Sequence, residues 1–562
     1  MMTSSSRLGW LLAGGILFLS FGYTEMQGSD LWWHLAAGRE ILQTGTLWMV
    51  DDWSFTAAGH TWRNHEWLAD IVYYGWASLW SVESLVYWKW LLVLLTFCTL
   101  QYVLRRETES NIAAFLCASF AVIVAAPFID VRPHLYSLLL FVVLLLALLN
   151  RRTRTWKLAL LFVLWANLHG GFFFGLMALG ILLFPWRNLE LDAIKGAVGI
   201  GLICLVACLL NPSGLQSLYF PLTYAFDAES PFRSLGEWLS PFRKGGIQSP
   251  YFFWMLYAAP VVALAYLIPA VRRSVGVPWE GLVLSGLTLA MAVTSRRFIP
   301  LFAISFAVMS APLVAFGLQK LKDQRLQLGL GLVAVLLAVL KLAPYPLAAG
   351  PAYHYLTAEY SYPIDTLDFM QANKMKGNVY ALYNWGGYIH WRTDGALKVF
   401  IDGRADTIYD DRTYLDYVGL LTSRPGWISQ LEQSQADYFL WPLLSYGGGN
   451  RGDELIKTGN WRLIHQDSVS FLLERTTARQ PRKYQAGPDT AYRNLAQAVI
   501  SVSKGKHAEA IAFANRTRSE IPYQKGACNL LFESHTSLGD KASADEVSRQ
   551  CRGYFPSPLL RR

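Results

Sequence analysis

The sequence predicts an α-helical polytopic membrane protein with about eleven transmembrane helices. A soluble α/β domain and a short array of paired helices follow. Three observations lead there. Of the 562 residues, 53% are hydrophobic and only 16% are charged, against about 25% charged in a soluble globular protein. The deficit is uneven: 12% of the first 350 residues are charged, against 22% of the last 212. The bases of the front part also sit in short runs between apolar segments, as membrane topology demands.

A helix crossing about 30 Å of hydrocarbon needs roughly 20 mostly apolar residues. Such segments run over residues 8–23, 86–104, 111–128, 134–150, 157–169, 172–186, 195–210, 251–269, 279–294, 298–316 and 326–343. The stretch 157–186 is interrupted by Asn167-Leu168-His169-Gly170-Gly171. It reads as two short helices meeting at the outer surface, with a re-entrant pair as the other arrangement. Alternating sides from a cytoplasmic N-terminus puts Arg105–Arg106, Arg151–Arg152, Arg187, Arg272–Arg273 and Lys320–Lys322 inside, and leaves Arg132 and Arg296–Arg297 outside. The expected location is therefore the cell (inner) membrane, multi-pass, with the C-terminal domains extracytoplasmic. The first apolar stretch lacks a clear small-residue cleavage site and reads as an anchor.

The expected divisions are a transmembrane domain over 1–345 with a large outer loop at 24–85, an α/β domain over 350–478, and helical repeats over 488–555. In the loop, amphipathic helices are expected from Asp30 and from Glu66. A second long outer segment spans 211–250 and includes Glu237 and Asp227. In the α/β domain, short β-like runs at Asn378–Tyr383, Leu397–Asp402, Tyr438–Leu440, Arg462–His465 and Val469–Leu473 alternate with helical stretches. In the tail, Gly505, Ala508, Ala510 and Pro522 recur 34 residues later as Gly539, Ala542, Ala544 and Pro556. That period resembles the tetratricopeptide repeat, which implies a protein partner through residues 488–555. Cys528 and Cys551 flank one helical hairpin, and an oxidising compartment would pair them. The four cysteines of the spans read as apolar filler, and no zinc spacing occurs. The net charge of +9 is a topology signal, with no basic face suited to nucleic acid.

Chemistry-bearing residues concentrate in the first loop, at Asp30, His34, Asp51, Asp52, His65 and Glu66. Solvated loop charges and helix caps are the plain alternative for any single acid. Asp30 differs because apolar and aromatic residues bracket it, a setting suited to a general base. The acids and His34 together are a set that a divalent ion would accept, although no spacing forces them onto one face. No other cofactor is implied. The pair Arg296–Arg297 violates the positive-inside pattern, and two adjacent like charges need an anion. Arg132 is a second cationic candidate. His169, at a helix break, either lines a cavity or makes structural hydrogen bonds.

An acid just after the first span, a helix ending in Gly38-Arg39, and a second loop motif before another helix resemble the GT-C glycosyltransferases. These membrane enzymes take a sugar from a polyprenyl-phosphate carrier. The resemblance implies that Asp30 is the catalytic base or an acceptor-binding carboxylate, with Glu66, a second catalytic candidate, in the second loop position within His65-Glu66-Trp67-Leu68. It implies donor-phosphate binding by Arg296, Arg297 or Arg132, with His34, His65 and His169 lining the substrate site. In the tail, Tyr383-Asn384-Trp385-Gly386-Gly387-Tyr388-Ile389 followed by Asp402-Gly403-Arg404 is similar to the aromatic-glycine turn of oligosaccharyltransferases. Trp385 and Tyr388 inherit acceptor binding from it, while the tight strand-to-helix turn is the structural alternative. The implied reaction is inverting transfer on the outer face to a glycan, lipid or protein acceptor, with membrane lipids as surroundings. The competing functions are a flippase for a lipid-linked saccharide and a non-catalytic scaffold acting through its helical tail.

Overall fold

The computed structural model describes residues 4–22, 26, 28–149, 153–219, 229–320, 324–342, 362–444, 448–476, 483–522 and 524–552. Asp227, Pro556, the arginines at 151–152, Lys322, and the ends of the α/β domain and the repeat array fall outside them. The chain divides into two compact units: Met1–Thr24, His65–Ala69 and Ser84–Leu342 in the first, and Glu25–Asn64, Asp70–Glu83 and Ala343–Arg562 in the second.

The first unit is helical, and among the described residues each of the eleven apolar segments contains helix, with 251–269 divided between two helices. Among the described residues, three helices are long and apolar enough to cross a membrane: Leu85–Thr108, Asn111–Phe128 and Arg296–Gln319. Pro250–Ala265 and Pro269–Val275, bent by 88°, add a fourth if they form one span. Shorter apolar helices include His134–Leu149, Thr155–Leu168, Phe172–Leu183 and Trp279–Thr294. At the centre, Ile299–Lys320 packs on Asn111–Ala125 and Trp279–Thr294. Small residues permit the close approach that membrane helices rely on. Ala113, Ala114, Ala118 and Ala121 are buried, and a Cβ on Gly281 would meet the Met309 backbone at 3.1 Å.

The second unit contains a two-stranded antiparallel ribbon of β1 (Met49–Val50) and β2 (Thr61–Trp62). Its main sheet has five strands: β3 (Gly377–Ala381), β4 (Leu397–Val399), β5 (Tyr438–Pro442), β6 (Trp461–Gln466) and β7 (Ser470–Arg475). Each of the five β-like runs of the sequence contains a strand, although Tyr383 opens a helix and the run from Leu397 is strand only to Val399. Their order is β4-β3-β5-β7-β6. Strand β3 runs parallel to β4 and β5, whereas β7 is antiparallel to β5 and β6. The parallel β3–β4 pair needs a crossover, supplied by the helix Tyr383–Thr393. Val379, Leu397, Val399, Phe439, Leu440, Leu472 and Leu473 are buried at its centre. An open edge on β4 would invite foreign pairing, and the first-loop segment covers it. The Val399 amide donates to Trp53 O at 2.9 Å, and the Phe55 amide to Val399 O at 3.1 Å.

Gly386 and Gly387 correct an expectation. They lie inside the helix Tyr383–Thr393, not in a turn. Packing explains them: a Cβ on Gly386 would sit 2.5 Å from Asp402 Cβ and 2.6 Å from Ile401 O, and one on Gly387 would sit 3.0 Å from Trp33 N and Cβ. Glycine there lets this helix settle on the β4–Asp402 segment and on the helix Asp30–Thr44.

The tail forms four helices, Ala491–Ser503, His507–Glu520, Lys525–Ser537 and Lys541–Arg552. Gly505 and Gly539, one period apart, turn the chain at φ 72° and 77°, a region open to glycine at no steric cost. A Cys528–Cys551 disulfide joins the last two helices.

Gly386→Ala is expected to cost about 1–3 kcal/mol, as overpacking against backbone does. Thermal unfolding of the purified full chain in detergent measures it. An unchanged midpoint would show that the contact yields freely.

Candidate functional site

In the second unit, two motifs distant in sequence meet. Asp30 opens the helix Asp30–Thr44, where the positive end of the helix dipole favours a carboxylate. Beside it lies Gly403: a Cβ there would fall 3.3 Å from Asp30 Oδ1 and 2.9 Å from Trp33 Nε1. Only glycine lets the Asp402-Gly403-Arg404 turn come so near. The buried Trp33 indole N–H has no hydrogen-bond partner among the described residues.

Arg404 holds this turn. Its guanidinium is buried and pairs with Asp51 at 2.7 Å and Asp402 at 2.8 Å. It also lies 4.3 Å from the Trp53 ring centre and 5.0 Å from that of Trp62. Burial would lower its pKa, but Asp402, Tyr409 and Asp51 outweigh burial and raise it well above the ordinary value. Asp51 also accepts from the Ser54 hydroxyl at 2.6 Å and from the Trp53 and Ser54 amides. It is therefore committed to the loop and to Arg404. Its neighbour Asp52 is exposed, 3.4 Å from Lys398.

His34, one helical turn beyond Asp30, is buried with Nδ1 2.5 Å from Asp70 Oδ1. The other Asp70 oxygen accepts from Asn64 Nδ2 at 2.6 Å. Burial pushes the Asp70 carboxyl well above its usual range, and the Asn64 bond only partly opposes it. Gly38 faces Asp70 O directly, so the helices Asp30–Thr44 and Trp67–Leu79 are locked at this point. Asp70 escaped the sequence reading, although an acid one turn into the apolar helix Trp67–Leu79 was its signal. Among the described residues no three His, Cys, Asp or Glu side chains gather as a metal-ligand set. Trp385 and Tyr388 are buried. The Tyr388 ring centre lies 4.7 Å from that of Trp32 and 4.5 Å from that of Tyr362, and its hydroxyl accepts from Arg392 at 2.7 Å. The helix turns both aromatics into the packing, which leaves little ring surface for a ligand.

The first unit gathers a second set at the Leu168–Phe172 helix break. His169 Nδ1 accepts from the Gly171 amide at 3.0 Å and lies 2.7 Å from Ser137 Oγ, which itself accepts from Trp165 Nε1. With Nδ1 accepting, Nε2 carries the proton. That N–H faces Glu66 Oε1 at 3.6 Å, and His65 Nε2 is 3.8 Å from the same oxygen. Beside this cluster an open apolar groove of about 660 Å³ is lined by Trp67, Leu68, Leu164, Asn167, Leu210 and Pro212, among others.

The three arginines divide into two tasks. Arg296 is fully buried and donates to the carbonyls of Leu239, Ser240, Arg243, Gly245 and Ile247. It clamps the loop Leu239–Ile247, and those carbonyls occupy its donors. Arg132 and Arg297 instead converge on Glu237, at 2.6 and 3.5 Å, with Arg297 stacked 4.1 Å over Trp238. Burial would raise the Glu237 pKa, but Arg132 and Arg297 hold it at about 2. Adjacency at 296–297 concealed this division, because the two side chains point to different partners.

No family model matches the chain, and no curated protein matches it. The fold is similar to the crystal structure of the Archaeoglobus fulgidus oligosaccharyltransferase tethered with an acceptor peptide containing the NVT sequon via a disulfide bond. The TM-score is 0.52 at 13% sequence identity, over 85% of this chain and 75% of that one. The chain thus has an oligosaccharyltransferase-like membrane fold. At this identity the likeness is one of fold.

The raised Asp70 pKa carries a sign. The folded chain keeps a proton that the unfolded chain releases above about pH 4. Its contribution to stability therefore falls as pH rises from there towards the raised folded value, and levels off above it. Asp70→Asn is expected to remove that slope and to cost little at pH 7. Asp70→Ala, which removes a partner from both Asn64 and His34, costs about 1–3 kcal/mol. Thermal melts across pH 4–8 measure both, and an Asp70→Asn protein with the wild-type slope would overturn the assignment.

Proposed function

We propose that this chain is a GT-C-type membrane glycosyltransferase. It moves a sugar from a polyprenyl-phosphate carrier to a glycan, lipid or protein acceptor on the outer face, with inversion. The observation that carries the reading is the meeting of Asp30 with the Asp402-Gly403-Arg404 turn, in a fold like that of an oligosaccharyltransferase. A carboxylate at a helix N-terminus, half-buried beside a turn without a side chain, is placed to receive the proton of an acceptor hydroxyl. Asp30 takes the hydroxyl proton, and the oxygen attacks the anomeric carbon opposite the leaving phosphate. His34, tied to Asp70, fixes the helix that presents Asp30.

For the donor phosphate, the reading favours Arg132 and Arg297, whose guanidinium groups are partly exposed and match phosphate oxygens. Arg296 serves by holding the loop. Glu66, with His65 and His169, handles a second proton, and the apolar groove beside them suits an isoprenoid chain. Trp385 and Tyr388 support the acceptor side from behind. A divalent ion finds no assembled ligand set among the described residues, so no step is assigned to one. The domain limits at 345, 350–478 and 488–555, eleven spans, an inner-membrane location with the tail outside, and a protein partner for the helical array complete the reading.

Asp30→Asn is expected to slow release of polyprenyl phosphate from a polyprenyl-phosphate sugar by about 10²–10⁴-fold, with the thermal midpoint kept. The assay uses the full chain in nanodiscs with membrane extract as acceptor source. Wild-type turnover in Asp30→Asn would overturn Asp30 as the base, and no turnover in the wild-type chain would favour a scaffold or a flippase.

A further inference from the structure

We infer that the Arg132–Arg297 pair is an anion site closed by the chain's own Glu237, which must leave before a phosphate can enter. The inference rests on the reading of these arginines as phosphate ligands, and adds a counter-ion gate to it. The geometry is that of a stand-in. One Glu237 oxygen faces Arg132 at 2.6 Å and the other faces Arg297 at 3.5 Å, so a single carboxylate bridges two guanidinium groups as a phosphate would.

The Glu237 pKa of about 2 keeps its carboxylate ionised at neutral pH, so it competes as an anion for the two guanidinium groups. The lipid phosphate released by transfer is a monoester with about −1.5 to −2 charge and three acceptor oxygens, whereas the donor is a diester that, like the Glu237 carboxylate, carries one negative charge. The exchange is also physically open. The side chains of Arg132, Arg297 and Glu237 are 24%, 29% and 29% exposed.

The loop around the site stays put while the carboxylate moves. Glu237 O accepts from Ser295 Oγ at 3.1 Å and from the Arg297 amide at 3.3 Å. Arg296 ties down five further carbonyls between Leu239 and Ile247. Rotation of the Glu237 side chain is then enough to vacate the site, with no loop rearrangement. Arg297 remains oriented over Trp238 throughout, so the vacated site keeps half of its geometry without Glu237. After transfer, the returning carboxylate would help to expel the lipid phosphate.

The test measures binding of a polyprenyl phosphate to the full chain in nanodiscs, and of inorganic phosphate in a parallel arm. Glu237→Gln keeps the shape and removes the charge. It is expected to bind lipid phosphate about tenfold more tightly, one charge-assisted hydrogen bond's competition being lifted, and to lower both KM for the donor and kcat as product lingers. Arg297→Met and Arg132→Met weaken binding about tenfold or more. Glu237→Asp, with a shorter reach, falls between wild type and Glu237→Gln, and serves if Glu237→Gln folds poorly. The same gain for inorganic phosphate shows that the site reads the phosphate alone, whereas a gain confined to the lipid form shows that the chain is also read. Weakening by Arg297→Met with no gain in either Glu237 variant overturns the gate and leaves the phosphate site standing. Unchanged binding in both arginine variants overturns both.

Discussion

The second unit depends on one buried charge. Arg404 sits between Asp51 and Asp402 with tryptophan rings on its face, and without it two carboxylates would lie unpaired where water cannot reach. Removing one partner from such a group typically costs about 3–5 kcal/mol, far more than a surface pair is worth. The cation ties together parts that sequence order keeps apart. Asp51 belongs to the first loop, Asp402 follows β4, and between them Trp53 and Phe55 close the edge of the sheet. Asp30 meets Gly403 because this knot sets the turn.

A second division of labour runs through the first unit. Arg296 and Arg297 are neighbours of identical chemistry, yet one is spent on backbone carbonyls and the other on a carboxylate. A carbonyl cage satisfies a guanidinium without neutralising it, which suits a loop that must hold its shape. A carboxylate bridge neutralises it and is exchangeable. The loop that carries Glu237 is thus held through its backbone, while one side chain has an exchangeable partner.

Much of the fold was legible in the sequence because its signals repeat. Eleven apolar runs, five short β-like runs and a 34-residue recurrence each pool many residues into one inference, and helices and strands formed at those places. Single residues were read less well. Asp51 and Asp52 are adjacent and identical, but one is buried against Arg404 and the other reaches Lys398 at the surface. Nothing local separates them, because the difference is made by a turn some 350 residues away. Gly386 and Gly387 looked like a turn, since a glycine pair signals one when no packing partner is known. Asp70 was passed over because His34 and Asn64, which make it a buried hinge pin, come from other elements. The Asp30 and His169 positions were visible because a helix start and a helix break announce themselves in sequence.

The break at His169 also bears on the lipid around it. Helices Thr155–Leu168 and Phe172–Leu183 have 14 and 12 residues, or about 21 and 18 Å of length at 1.5 Å per residue. A hydrocarbon layer of about 30 Å overhangs either one alone. Such hydrophobic mismatch is relieved by local thinning of the bilayer, which would bring headgroups down to the level of Glu66 and His169. On the proposed function, a carrier lipid in the leaflet would then reach those side chains by following the membrane's own contour, without climbing out of it.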